Sequence, residues 1–96
     1  MRYQVKIAAG AVREIKKLPE QISARILEEI DKLARNPRPP GVKKLDGMPD
    51  GYRIRTGVYR IVYVIGDDIL KIDVVTVGHR KEVYRNLAEK SKRRGQ

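Results

Sequence analysis

The chain has no cysteine, no tryptophan and no phenylalanine, and it holds one histidine among its 96 residues. Without cysteine there is neither a disulfide framework nor a thiolate metal site, which suits a reducing compartment. A single histidine rules out a multi-histidine metal centre. The core must be aliphatic, with the five tyrosines at its margins. Long apolar runs are missing too. The longest, 61–65, falls far short of the roughly 20 residues that a membrane helix needs. Met1–Gly10 carries no apolar stretch of the signal-peptide kind. A cytoplasmic protein without membrane contact is expected.

What the chain does have is positive charge. Lys and Arg number 22 against 12 Asp and Glu, a formal net charge of +10. Such a field draws polyanions and speeds encounter with them, so nucleic acid or a nucleoprotein is the expected target. An acidic protein partner is compatible with the same charge. The length suits one domain, 1–96, with a basic tail at about 90–96.

The hydrophobic period changes along the chain. Arg2–Ala8 alternates as a strand with one buried face. Residues 9–36 read as a helical hairpin broken at Pro19, with Ile22, Ile26, Ile30 and Leu33 on one apolar stripe. Pro37–Gly41 is a stiff connector, followed by a turn-rich stretch through Gly51. Tyr52–Arg55, Val58–Ile65 and Ile69–Val77 then read as strands joined by short turns, hence antiparallel. A C-terminal helix is expected over about 81–90. The fold class is α+β, in the order β-α-α-β-β-β-α. An antiparallel-rich four-stranded sheet would carry the helical hairpin on one face.

A two-residue loop at Thr56-Gly57 would pair Arg53 with Arg60 and Arg55 with Val58. Arg53, Arg55 and Arg60 then share one open face, while Tyr52, Ile54, Tyr59 and Ile61 pack on the helices. Like charges placed opposite each other destabilise a sheet by a few tenths to ~1 kcal/mol, and a bound phosphate would compensate. The bland alternative leaves the arginines in water or pairs them with Asp73. His79 and Arg80 follow the last strand, and Tyr84 lies one helical turn beyond Arg80. The acidic residues form no metal site, and no phosphate-binding loop, dinucleotide fingerprint or nucleophile elbow occurs. An enzyme built on these residues would use cationic and phenolic groups, without metal or cofactor.

Three ordered segments now carry a resemblance: Lys44–Arg55, Val58–Tyr63 and Val77–Tyr84. Together they resemble the RelE group of the RelE/ParE toxin superfamily across essentially the whole domain, whose fold is RelE/ParE-like and microbial-RNase-like. The resemblance implies the toxin of a type II toxin-antitoxin system, a stress-response translation inhibitor. Its members are ribosome-dependent, metal-independent endoribonucleases, or mRNA interferases. They cut mRNA in the 30S A site by 2′-OH attack on the adjacent phosphate, leaving a 2′,3′-cyclic phosphate and a 5′-OH. Arg60 matches a phosphate-steadying arginine, Arg80 one that serves the leaving oxygen, and Tyr84 a substrate-orienting tyrosine. A cognate antitoxin would form a hetero-oligomeric complex and carry any contact with operator DNA.

Arg53 and Arg55 stand where well-known members have lysine. A guanidinium stays protonated, so these two fit stabilisation of the phosphorane better than proton abstraction. His79 and Tyr84 are therefore the candidate proton-transfer groups, and His79 is favoured because its residue type ordinarily titrates near neutrality. Lys43, Lys44, Lys81, Arg85, Lys90, Lys92, Arg93 and Arg94 are the expected RNA- and ribosome-binding cations. Two other readings fit the same fold: a ParE-like DNA gyrase inhibitor, and a non-catalytic RNA- or antitoxin-binding module.

Overall fold

The computed structural model describes residues 2–94, with side chains described through residue 88. The elements in order are β1 (Gln4–Ile7), α1 (Ala9–Lys16), α2 (Glu20–Lys32), β2 (Lys43–Lys44), β3 (Gly51–Thr56), β4 (Tyr59–Gly66), β5 (Lys71–His79) and α3 (Arg80–Arg94). The strands make one five-stranded sheet in the order β1-β5-β4-β3-β2. All neighbours are antiparallel except β1, which runs parallel to β5 at the edge. The strand beyond the expected four is the two-residue β2, which falls within the turn-rich stretch. Two lysines carry no apolar alternation, and their strand conformation comes from pairing with Tyr52 and Arg53.

Pro19 sits at the N-cap of α2 with extended backbone and so separates the two helices of the hairpin. Ala11 and Ile15 of α1, with Ile26 and Ile30 of α2, pack on Ile54, Ile61, Tyr63, Ile65, Ile72, Val74 and Val77 of the sheet. Each fully buried isoleucine contributes about 1.5–3 kcal/mol relative to exposure. Strand alternation places the next residues, Arg53, Arg55, Arg60 and Val62, on the opposite face.

That opposite face is not left open. Val62 and Val83 are fully buried although neither belongs to the main core cluster. They mark a second, smaller contact where α3 lies on β4 and β5. The helix lies over Gly78, where a Cβ would stand 3.8 Å from the Val83 nitrogen, an ordinary contact distance.

The β3–β4 turn corrects the expected register. Thr56 pairs with Tyr59, so the loop is Gly57-Val58, and Arg55, not Arg53, faces Arg60. The cause is local. Gly57 has φ +62°, and a two-residue hairpin loop favours glycine at its first central position. Moving the loop by one residue shifts cross-strand pairing by two, which preserves every residue's face. The arginines therefore share a face as expected, but with different partners.

The next turn is also displaced from its expected place. Leu70 adopts φ +52° in the turn before β5, and the strand starts at Lys71 instead of Ile69. A bulge between Val62 and Tyr63 sets Val62 against Thr76 and Tyr63 against Val74. Among the described residues no helix is long and apolar enough to cross a membrane.

Candidate nucleic-acid interface

Arg55 and Arg60 are direct cross-strand partners, and Arg60 is in turn opposite Gly78. Arg55 is exposed and Arg60 half-buried, while Arg53 retains only 5 % of its surface. The open-face expectation is thus corrected for Arg53. It shares its face with the fully buried Val62, next to the region that α3 covers.

The Nε atoms of Arg53 and Arg60 are both buried without a hydrogen-bond partner. Ion pairs among the described residues are Lys32–Glu29 and Arg38–Asp67, so no carboxylate neutralises Arg53, Arg55, Arg60 or Arg80. Asp73 lies opposite Val64 and makes no ion pair with the cluster. A buried N–H left without a partner costs about 1–3 kcal/mol by order of magnitude. Folding alone does not explain such a group. Planar donor forks with no protein acceptor are suited to a phosphate diester.

Arg80 begins α3, and its backbone N–H donates to the Val58 carbonyl at 3.0 Å. This bond ties the helix start to the β3–β4 turn, beside the arginine row. The Arg80 side chain is exposed, and Tyr84, one turn on, is 45 % exposed. Lys43, Lys44, Lys81 and Arg85 are all exposed, with Lys43 directly across from Arg53. The side chains of Lys90, Lys92, Arg93 and Arg94 lie outside the described residues.

His79 is not brought to the arginines. It pairs with Tyr59, and their rings meet edge to face with centroids 6.2 Å apart. Tyr59 packs against the main core, so His79 shares the helical-hairpin face, opposite Arg55 and Arg60. Its Nδ1 accepts from the Lys81 N–H at 3.4 Å. The expected role of His79 in proton transfer is corrected on this ground. Chain adjacency to Arg80 suggested proximity, and strand alternation separates the two groups.

Two features had no signal in the sequence. Asp67 accepts two bonds from Arg38, at 2.9 and 3.3 Å, and one from the Tyr3 hydroxyl at 2.6 Å. Arg38 also lies 5.0 Å above the Tyr52 ring, which stacks on Tyr63. The clasp joins the connector after α2 to the β4–β5 turn. Arg38 and Tyr3 hold the Asp67 carboxyl down at about 2, and the bond to Asp67 raises the Tyr3 pKa. The second feature is Glu14, whose carboxylate accepts from the Thr76 hydroxyl at 2.8 Å and the Val77 N–H at 3.2 Å. It caps β5 beyond the point where β1 stops pairing.

This geometry matches known proteins. The family model for the ParE toxin of the type II toxin-antitoxin system parDE matches residues 5–84. A putative RelE-like toxin protein of Escherichia coli is 40 % identical over 94 residues, covering 94 % of this chain and 98 % of its own. The mRNA interferase toxin RelE of Escherichia coli K12 is 31 % identical over 94 residues, with the same two coverages. Among solved structures, a mutant form of Escherichia coli toxin RelE in the free state superposes with TM-score 0.76 at 29 % identity. It covers 94 % of this chain and 98 % of its own. The RelE–RelB complex of Pyrococcus horikoshii gives TM-score 0.74 at 34 % identity, covering 83 % of this chain and 97 % of the other.

Fold and site therefore define a toxin of the type II toxin-antitoxin class. More narrowly, the chain belongs to the RelE/ParE toxin superfamily, as a RelE-type member.

Proposed function

We propose that this toxin is a ribosome-dependent endoribonuclease that cuts mRNA in the 30S A site. The observation that carries the reading is the cross-strand pair Arg55–Arg60, joined by Arg53 and Arg80, with no ion-pair partner for any of the four among the described residues. In the proposed step the ribose 2′-oxygen attacks the adjacent phosphorus and loses its proton. The P–O5′ bond breaks, leaving a 2′,3′-cyclic phosphate and a 5′-hydroxyl. Arg55 and Arg60 offset the charge growing on the phosphorane oxygens, an effect stronger where water is excluded. Arg53 adds fixed positive charge from its buried position, and Arg80 faces the leaving oxygen. Tyr84 orients the substrate and is the proton-transfer candidate on α3. Lys43, Lys44, Lys81 and Arg85, with the basic end of α3, contact RNA and ribosome.

The relative named mRNA interferase toxin supports the activity, and the RelE–RelB complex supports a cognate antitoxin as partner. Contact with operator DNA would fall to that antitoxin. The test is primer-extension mapping of mRNA ends after induction, repeated with Arg60→Ala. Codon-positioned cuts that vanish in the variant support the reading. Growth arrest with DNA-damage signalling and no cuts would favour a gyrase inhibitor, a reading that the ParE family match keeps in play. Uncleaved RNA bound with steep salt dependence would mark a non-catalytic module.

A further inference from the structure

The row Thr56–Tyr59–His79 is the last of the sheet before the ladder ends at the Val58–Arg80 bond. Tyr59 precedes Arg60 in the chain and His79 precedes Arg80. The aromatic pair and Arg60 therefore sit back to back across the end of the sheet. The two rings are half-buried and meet edge to face. Neither the Tyr59 hydroxyl nor His79 Nε2 has a hydrogen-bond partner among the described residues.

Positive charge continues around the same end. Helix α1 starts beside Val74, where the Ala8 N–H donates to the Val74 carbonyl, and reaches Thr76 and Val77 at Glu14. Its exposed C-cap residue is Lys17. A single strand whose phosphate lies on the arginine face meets the rings on turning round the sheet end.

We propose that Tyr59 and His79 form a stacking subsite for one nucleobase of the bound RNA, next to the phosphate held by Arg60. The proposal rests on the RNA-cutting reading and adds a base contact on the sheet face opposite the arginines. Every base has a π-face, so the subsite fixes how the strand wraps without selecting sequence. His79 contributes its ring.

The experiment uses the full chain and ribosomes carrying a short mRNA blocked by a 2′-O-methyl group at the cut position of the A-site codon, with 2-aminopurine placed on either side of it. Fluorescence should be quenched on binding at one of the two positions. Tyr59→Leu and His79→Ala should abolish the quench and weaken binding about fivefold or more. Tyr59→Phe and His79→Phe, which keep a ring, should retain both. Since Tyr59 also packs on the core, His79→Ala carries the test if the leucine variant melts early. An unchanged quench, with affinity within about twofold, in His79→Ala and folded Tyr59→Leu overturns the subsite. If Arg60→Ala still loses binding in that case, the RNA reading stands without it. Failure of the wild-type chain to bind these programmed ribosomes overturns both.

Discussion

Arg55 and Arg60 stand directly opposite each other on neighbouring strands, with no carboxylate between them. The pairing is unfavourable for the empty protein and useful only when an anion is present. Function and stability therefore pull in opposite directions at this pair. Arg55→Gln should raise the melting temperature slightly at low salt, by the equivalent of a few tenths of a kcal/mol. The gain should shrink as salt screens the repulsion. The same variant should cut mRNA at least about tenfold more slowly, since it removes charge that stabilises the transition state. Melting curves at two salt concentrations and primer extension check both halves. A loss of stability in Arg55→Gln would count against an uncompensated pair.

Arg53 gives a sharper version of this contrast. Its side chain is buried and its Nε lacks a partner. Arg53→Met keeps much of the volume and removes the charge, a change that is often neutral or stabilising by ~1–4 kcal/mol at buried ionic sites. Urea denaturation should show no loss of stability, while cleavage falls. A strongly destabilised Met variant would mean that the guanidinium is held by the fold itself.

The Arg38–Asp67 clasp should respond to acid. Its folded-state carboxyl lies at about 2, lowered from 3.8 chiefly by the Arg38 bonds and then by the Tyr3 hydroxyl. A lowered folded pKa adds stability that is fully present above the unfolded value and vanishes as pH falls through the folded one. Melting temperatures of wild type and Asp67→Asn should therefore differ at about pH 7 and converge between roughly pH 4 and pH 2. Both partners are substantially exposed, so the difference is expected to be small. A gap that persists at the acid end would contradict the assignment.

Tyr63 holds the connector from the core side. Its fully buried ring sends the hydroxyl to the Pro37 carbonyl at 2.7 Å, and burial pushes its pKa up. Tyr63→Phe should cost about 1 kcal/mol, typical of one lost hydrogen bond. Amide exchange should rise at the adjoining Arg38, Gly41 and Val42. Unchanged exchange there would show that the connector is held by other contacts.

Much of the fold was legible from periodicity. The 3.6-residue stripe of Ile22, Ile26 and Ile30 and the two-residue alternation of β3 and β4 follow from burying one face of each element. Those patterns need no knowledge of partners. Glycine position also mattered: Gly57 belongs at the first loop position, and reading it at the second misplaced the arginine pairing by two residues. The short strand β2 left no mark because its conformation is set by the Tyr52–Arg53 backbone beside it.

The hairpin in which the positive charge is concentrated was visible in the sequence, and so was the common face of Arg53, Arg55 and Arg60. Strand parity determines a face locally, and a loop shift of one residue cannot reverse it. Only the tertiary structure decided the rest. It buried Arg53, placed α3 over Gly78 and set the His79 ring against Tyr59 of a neighbouring strand. Those outcomes depend on which segments pack together over long sequence separations, and no local pattern encodes them.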